Sequence, residues 1–113
     1  MAVKVMNSSA KYLSLEMLTH DNFLGTTSPQ KVSSFTFYKK SVEKGEMNII
    51  WSVESQDKAG QQLTKLIYGE TPVGFKATTP QPLVPGDALY ISFYANEQGI
   101  PKPLGTVEFT VSR

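Results

Sequence analysis

The segment that decides the fold is Leu83-Val-Pro-Gly-Asp-Ala-Leu-Tyr-Ile-Ser-Phe-Tyr-Ala95. Its Pro85-Gly86 pair predicts the centre of a tight turn, because proline fixes φ as the first central position requires and glycine adopts positive φ at the second. Beyond the turn the residues alternate, with Leu89, Ile91, Phe93 and Ala95 on one side and Ala88, Tyr90, Ser92 and Tyr94 on the other. This period of two is typical of a strand with one buried face.

Similar alternating segments occur along the rest of the chain, separated by residues that favour turns. The predicted strands are Val3–Val5, Lys11–Met17, Val32–Tyr38, Met47–Glu54, Leu63–Tyr68, Gly74–Thr78, Ala88–Ala95 and Thr106–Ser112. Asn96–Gly105 is predicted to be a loop, because Gly99, Pro101 and Pro103 interrupt it. Short strands at this spacing, with no convincing helix, predict an all-β protein built as an antiparallel β-sandwich of seven or eight strands or as a small barrel.

The largest apolar side chains are expected to form a core between pleated layers. Trp51 is the expected centre, since a single tryptophan buries a large apolar area while its ring N–H still needs a hydrogen-bond partner. The predicted core residues are Trp51, Leu89, Ile91, Phe93, Val107, Phe109 and Val111. Residues 1–113 are long enough for one such core and are predicted to form a single domain.

Composition excludes several classes of function. Lys and Arg total 11 against 10 for Asp and Glu, which is too even for a protein that binds nucleic acid or anionic lipid through its charge. The absence of cysteine excludes thiol catalysis, disulfides and thiolate metal sites. No apolar run is long enough to span a membrane, and the N-terminal residues lack the apolar core of a secretory signal.

Two features resemble a known family. Trp51 and the segment Leu83–Phe93 are similar to fibronectin type III and related immunoglobulin-like domains, in which a Trp lies on an early core strand and a Leu-x-Pro-Gly corner precedes an aromatic strand. The family would place Tyr at the position of Leu89, whereas Tyr90 follows one residue later. The resemblance covers about residues 32–111 and implies an immunoglobulin-like sandwich.

A second likeness concerns location. Ile67-Tyr68-Gly69, followed by Pro72-x-Gly74-Phe75, is similar to small bacterial exported domains of uncharacterised function. Modest charge and plentiful Ser and Thr agree with export. An extracytoplasmic location, periplasmic or at the cell surface, is therefore expected if the chain is a mature fragment.

The residues offer little for catalysis. His20 is the single histidine and lies beside Asp21, an arrangement typical of a solvated turn. The carboxylates are scattered without calcium-loop spacing, and no glycine-rich phosphate loop occurs. We therefore expect no metal, no cofactor and no enzymatic activity. The alternative hypothesis is a hydrolase or lyase that uses His20 with a carboxylate brought close by folding.

The remaining candidate sites are binding surfaces. Tyr90 and Tyr94 lie on the side of the strand opposite Leu89 and would face solvent or a protein partner, although tyrosine also commonly covers outer sheet faces without binding. Phe75 lies in the proline-rich connection 69–82, of which only Gly74–Thr78 could pair as a short edge strand, and Ile100 lies in the predicted loop 96–105. Such connections present recognition residues at the ends of rigid sheets. The sequence predicts a non-enzymatic binding or assembly module that contacts a protein through these four residues. An inhibitor or a chaperone-like periplasmic domain is the other alternative.

Overall fold

Antiparallel β-strands make up the protein. The computed structural model describes residues 2–18, 30–41, 45–58 and 60–112, and none of them is helical. The strands are β1 Ala2–Ser8, β2 Leu13–Leu18, β3 Gln30–Val32, β4 Ser34–Lys40, β5 Met47–Ser55, β6 Gln61–Leu63, β7 Lys65–Ile67, β8 Phe75–Ala77, β9 Ala88–Glu97 and β10 Ile100–Thr110. The described chain therefore contains no helix that could cross a membrane. The predicted all-β class is confirmed.

The strands form three sheets. The largest has the order β10-β9-β4-β5-β8, the second has the order β1-β2-β7, and β3 pairs with β6 in a two-stranded sheet. All pairs of neighbouring strands are antiparallel. In the five-stranded sheet β9 lies between β10 and β4, so the strand that stands out in the sequence is an interior strand of the largest sheet.

The predicted turn before β9 is present. The N–H of Asp87 donates to the carbonyl oxygen of Val84 over 3.0 Å, which closes a four-residue turn centred on Pro85 and Gly86. Gly86 has a φ of 93°, a value that a residue with a Cβ atom rarely adopts. The carboxylate of Asp87 accepts a further hydrogen bond from the N–H of Val84, so the turn is fixed before the strand begins.

The core lies on one face of the five-stranded sheet and includes residues of the three-stranded sheet. Phe35 is fully buried at its centre, with ring centroids 5.6 Å from Trp51 and 5.8 Å from Phe93. From the other sheet, Leu13, Leu15, Met17 and Leu66 join the same cluster. Five of the predicted core residues are buried, namely Trp51, Leu89, Ile91, Phe93 and Val111. Val107 and Phe109 are only partly buried, because β10 is an edge strand.

Tyr68 connects the core to the segment before β9. Its ring centroid lies 5.1 Å from that of Phe37 and 5.2 Å from that of Trp51. Its hydroxyl donates to the carbonyl oxygen of Gln81 over 2.5 Å. Burial raises the pKa of Tyr68 to about 12, so the hydroxyl is a neutral donor at physiological pH. The indole N–H of Trp51, by contrast, has no hydrogen-bond partner among the described residues.

The predicted loop after β9 is instead a hairpin. β9 and β10 are joined by Gln98 and Gly99, with φ values of 54° and 84°, and positive φ at both central residues is typical of a type I′ hairpin turn. Pro101 and Pro103 lie within β10. Proline is tolerated there because β10 has a neighbour on one side only.

Two predicted strands are each divided between sheets. The segment predicted as Val32–Tyr38 belongs to β3 and β4, and Leu63–Tyr68 contributes to β6 and β7. The chain changes sheet at Ser33 and Thr64, so β3 pairs with β6 while β7 pairs with β2. These breaks raise the number of strands in the described chain to ten, above the predicted seven or eight.

Candidate functional site

The candidate site is the face of the five-stranded sheet that points away from the core, here called the outer face. The strand register arranges its side chains in rows that run across β10, β9, β4 and β5. The three rows are Glu108, Tyr90, Tyr38 and Ile49, then Thr106, Ser92, Thr36 and Ser52, then Pro103, Tyr94, Ser34 and Glu54. The outer face is thus aromatic and apolar toward one end and rich in hydroxyl groups in the middle.

Tyr38 and Tyr90 form a pair at the centre of the first row. They are directly opposite each other on β4 and β9, and their ring centroids lie 5.9 Å apart at an angle of 57°. Both side chains are partly exposed. Cross-strand aromatic pairs stabilise a sheet locally, and this one also places two rings side by side on an accessible surface.

An ion pair borders the two tyrosines. The Nζ atom of Lys40 lies 2.6 Å from Oε1 of Glu108 and 6.0 Å from the centre of the Tyr90 ring. The ammonium group therefore contacts a carboxylate and the face of an aromatic ring. This arrangement gives the apolar centre a charged border with both signs.

Met47 and Ile49 extend the apolar surface on the other side. They lie opposite Lys40 and Tyr38 on β5, and 48% and 55% of their areas are exposed. A shallow groove of ≈ 510 Å³ is lined in part by Met47, Lys40 and Tyr90. Tyr38, Tyr90, Met47 and Ile49, together with the Lys40–Glu108 pair, are named the tyrosine patch.

The second row, here called the hydroxyl row, separates Tyr90 from Tyr94. It consists of Thr106, Ser92, Thr36 and Ser52. Ser92 lies between the two tyrosines and is only 5% exposed, and its Oγ atom has no hydrogen-bond partner among the described residues. Tyr94 lies between Ser34 on β4 and Pro103 on β10 rather than beside another aromatic ring. The predicted pair of tyrosines therefore does share one face, but the direct neighbour of Tyr90 is Tyr38.

The other two predicted contact residues lie elsewhere. Phe75 is only 5% exposed, and its ring centroid lies 6.1 Å from that of Phe35, so it belongs to the core and its prediction as a surface anchor is wrong. Ile100 is 69% exposed, but it lies at the start of β10, whereas Glu108 beside Tyr90 lies near the end. Ile100 is therefore not part of the tyrosine patch.

A polar depression of ≈ 240 Å³ lies at the hairpin end of the sheet. Asn96 organises it: the Nδ2 atom donates to the carbonyl oxygen of Lys58, and Oδ1 accepts from the N–H of Gly99, each over 2.9 Å. These bonds hold two loops together. In the described chain, no three His, Cys, Asp or Glu side chains are grouped so that they could hold a metal ion. His20, the predicted catalytic alternative, lies outside the described residues.

Comparison of the chain with known protein families, with characterised proteins and with solved structures found no match. Function is therefore inferred from the chemistry of the outer face.

Proposed function

We propose that the chain is an immunoglobulin-like β-sandwich that acts as a non-enzymatic binding module and holds a protein partner on the tyrosine patch. The observation that carries the proposal is the continuity of the Tyr38–Tyr90 pair with exposed Met47 and Ile49. Tyrosine and methionine are enriched at the centres of protein interfaces. Burying these side chains under a partner also removes apolar area from water, which is the main favourable term in association.

The border of the patch favours a protein as the partner. Lys40 and Glu108 provide one charge of each sign beside the apolar centre, in keeping with the polar rim that surrounds a typical protein interface. The net charge of +1 offers no positive field for the phosphates of a nucleic acid.

The immunoglobulin-like assignment is supported by local features. The turn at Pro85-Gly86 leads into β9, and Trp51 on β5 packs into the core. An extracytoplasmic location, an inhibitor role and a chaperone-like role remain compatible with this proposal, because they differ from it only in where the partner is met and what it is.

The experiment compares two matched double variants. Immobilised wild-type protein is used to capture a partner from an extract of the source organism, and the purified partner is then titrated by calorimetry. We expect Tyr90→Ser combined with Ile49→Ser to weaken binding at least tenfold, as is usual when central interface residues are truncated. Tyr12→Ser combined with Val73→Ser removes an exposed tyrosine and an exposed aliphatic residue elsewhere and should leave the affinity within about twofold, the scale of a near-neutral interface residue.

Two outcomes would contradict the proposal. One is unchanged affinity of the patch variant while its circular dichroism spectrum remains that of the wild type. The other is an equal loss in both double variants. A Tyr94→Ser variant then measures how far the contact extends past the hydroxyl row, and a smaller effect than that of Tyr90→Ser is expected.

A further inference from the structure

The edge of the five-stranded sheet at β10 is a second candidate surface, which borders the tyrosine patch at Glu108. Each sheet edge exposes backbone N–H and C=O groups that can pair with another strand, and proteins usually block such edges. Three of the edges are protected: β7 and β8 have three residues each, and β1 contains Lys4 and a register shift between Val5 and Asn7. β10 is the longest edge strand in the described chain.

Backbone hydrogen bonds show which residues of β10 face outward. The N–H of Val111 donates to the carbonyl oxygen of Asp87 over 2.9 Å, so the backbone of Val111 points toward the β9 side. Bonding direction alternates along an antiparallel strand. Thr110, Glu108 and Thr106 therefore turn their backbone groups away from β9. The N–H of Ser112, the next residue in this alternation, donates outward to the carbonyl oxygen of Ser8 over 2.8 Å.

The two prolines occupy outward positions as well. Pro103 lies opposite Tyr94, and the carbonyl oxygen of Tyr94 accepts from the N–H of Ser33 on the side of β4. Tyr94 thus bonds away from β10, which leaves Pro103 facing outward, and Pro101 follows by the same alternation. Prolines at outward positions remove edge donors without weakening the bonds to β9. The first half of the edge is therefore blocked.

The second half of the edge is open over a short, defined length. It begins after the register shift between Pro103 and Gly105 and ends where Ser112 bonds to Ser8. Between these limits the outward backbone groups of Thr106, Glu108 and Thr110 have no backbone partner within the part of the chain that the structure describes. This length suits a strand of about five residues.

Apolar side chains line the space beside the open edge. Val107 and Phe109 point toward the core from β10 but are only partly buried, and the same holds for Val3 and Val5 on β1. β1 and β10 approach each other at the parallel bridge between Ser9 and Ser112. A strand added to β10 would alternate in the same way, so the residues opposite Val107 and Phe109 would place their side chains against this apolar surface.

We propose that the open edge of β10 binds an extended segment of a partner protein by strand addition. The segment has β-branched apolar side chains opposite Val107 and Phe109 and a basic residue opposite Glu108. The basic residue is favoured because only Oε1 of Glu108 is bonded by Lys40, and 57% of the Glu108 side chain is exposed. Main-chain hydrogen bonds supply affinity in this mode, and alternate side chains supply specificity.

A second copy of the chain fits the edge less well. An antiparallel pairing that uses all three outward residues of both copies would place Glu108 directly opposite its equivalent, and like charges opposite each other destabilise a sheet. Shifting the register by two residues in either direction removes this contact, but it leaves only two of the three outward residues of each copy in bonded pairs.

The test uses a blocked synthetic peptide with the core sequence Thr-Val-Lys-Val-Thr and a control peptide with the same residues in the order Val-Val-Thr-Thr-Lys. Binding is followed by backbone amide signals in nuclear magnetic resonance spectra. We expect the alternating peptide to slow hydrogen exchange at the amides of Thr106, Glu108 and Thr110 at least tenfold, and the control peptide to have no such effect.

Two variants of Thr106 distinguish the contribution of its backbone N–H to peptide binding from that of its side chain. Thr106→Pro removes an outward N–H, as Pro101 and Pro103 already do, and should weaken peptide binding at least tenfold. Thr106→Ala keeps the N–H and should bind within about twofold of the wild type, because the hydroxyl is not part of the pairing. The Tyr90→Ser, Ile49→Ser double variant should bind the peptide normally, because neither residue lies on β10. The two proposals share only the Lys40–Glu108 pair, so one can fail while the other holds.

The proposal is overturned if no amide of β10 gains protection at millimolar peptide, or if Thr106→Pro retains its fold and its affinity. Should Thr106→Pro fail to fold, the exchange measurement on the wild-type protein decides alone. A concentration-dependent dimer that Thr106→Pro abolishes would also overturn it, by showing that the edge is occupied by a second copy.

Discussion

The two faces of the five-stranded sheet use the same strands and similar aromatic rings for different purposes. On the inner face, Phe35 of β4 and Phe93 of β9 are fully buried. On the outer face, Tyr38 and Tyr90 of these strands form a pair that stays partly exposed. The comparison teaches that aromatic content alone does not identify a binding surface. What matters is whether a second layer of the same chain already covers the rings.

The largest expected difference between the faces is in stability. Phe35→Ala should lower the free energy of unfolding by about 3–5 kcal/mol, because it leaves a cavity among four surrounding aromatic rings. Tyr38→Ala on the outer face should cost only about 1 kcal/mol, the scale of a cross-strand pair. Urea denaturation of both variants measures the contrast. Equal losses would mean that the outer face is part of the core.

An intermediate effect is expected at Tyr68, where a core ring carries a hydroxyl. Its pKa is raised by burial to about 12 from an ordinary value of 10.0, so above pH 10 the unfolded chain releases this proton before the folded protein does. The contribution of the neutral Tyr68 hydroxyl to the free energy of unfolding is therefore complete below pH 10 and is lost as the pH rises toward 12. Tyr68→Phe should lower stability by about 1 kcal/mol at neutral pH.

The measurement is the free energy of unfolding as a function of pH, with tyrosinate absorbance recorded in parallel. In the wild-type protein the free energy should fall between pH 10 and 12, and Tyr68→Phe should show a shallower fall in the same window. Identical slopes for the two proteins would show that Tyr68 titrates as it does in the unfolded chain.

The smallest effect is expected in the hydroxyl row. Ser92→Ala removes a buried Oγ atom that has no hydrogen-bond partner in the described part of the chain, so it should leave stability unchanged or raise it by up to about 1 kcal/mol. Ser33→Ala is the matched control, since its Oγ donates to the carbonyl oxygen of Tyr94 over 3.0 Å, and it should lower stability by about 1 kcal/mol. Thermal unfolding of the two variants measures this difference in stability. A clear loss of stability in Ser92→Ala would show that the Ser92 hydroxyl does have a hydrogen-bond partner.

The local sequence pattern predicted those parts of the fold that depend only on residues close together in the sequence. The turn at Pro85-Gly86 and the alternation of Leu89, Ile91 and Phe93 follow from backbone preferences and burial of one face, and both are confirmed. The all-β class follows from the same two signals repeated along the chain.

Features that depend on the position of a strand within its sheet were missed. Pro101 and Pro103 indicate a loop locally but are accommodated because β10 is an edge strand. The prolines and glycines around Phe75 likewise indicate an exposed connection, but the pairing of β8 with β5 places this ring in the core.

The candidate site was predicted only in part, for a related reason. Alternation places Tyr90 and Tyr94 on one face, and the structure agrees. The contact between Tyr90 and Tyr38, and the approach of Lys40 to Glu108, depend on the register between strands that are distant in sequence. Alternation within a single strand carries no information about that register.

The most direct test of the binding function is the methyl spectrum of the protein in complex with its captured partner. We predict that the side-chain methyl signals of Met47 and Ile49 shift on binding, while those of Val73, which is almost fully exposed elsewhere, remain unchanged. Unshifted Met47 and Ile49 signals in a saturated complex would contradict the assignment of the tyrosine patch as the partner-binding surface.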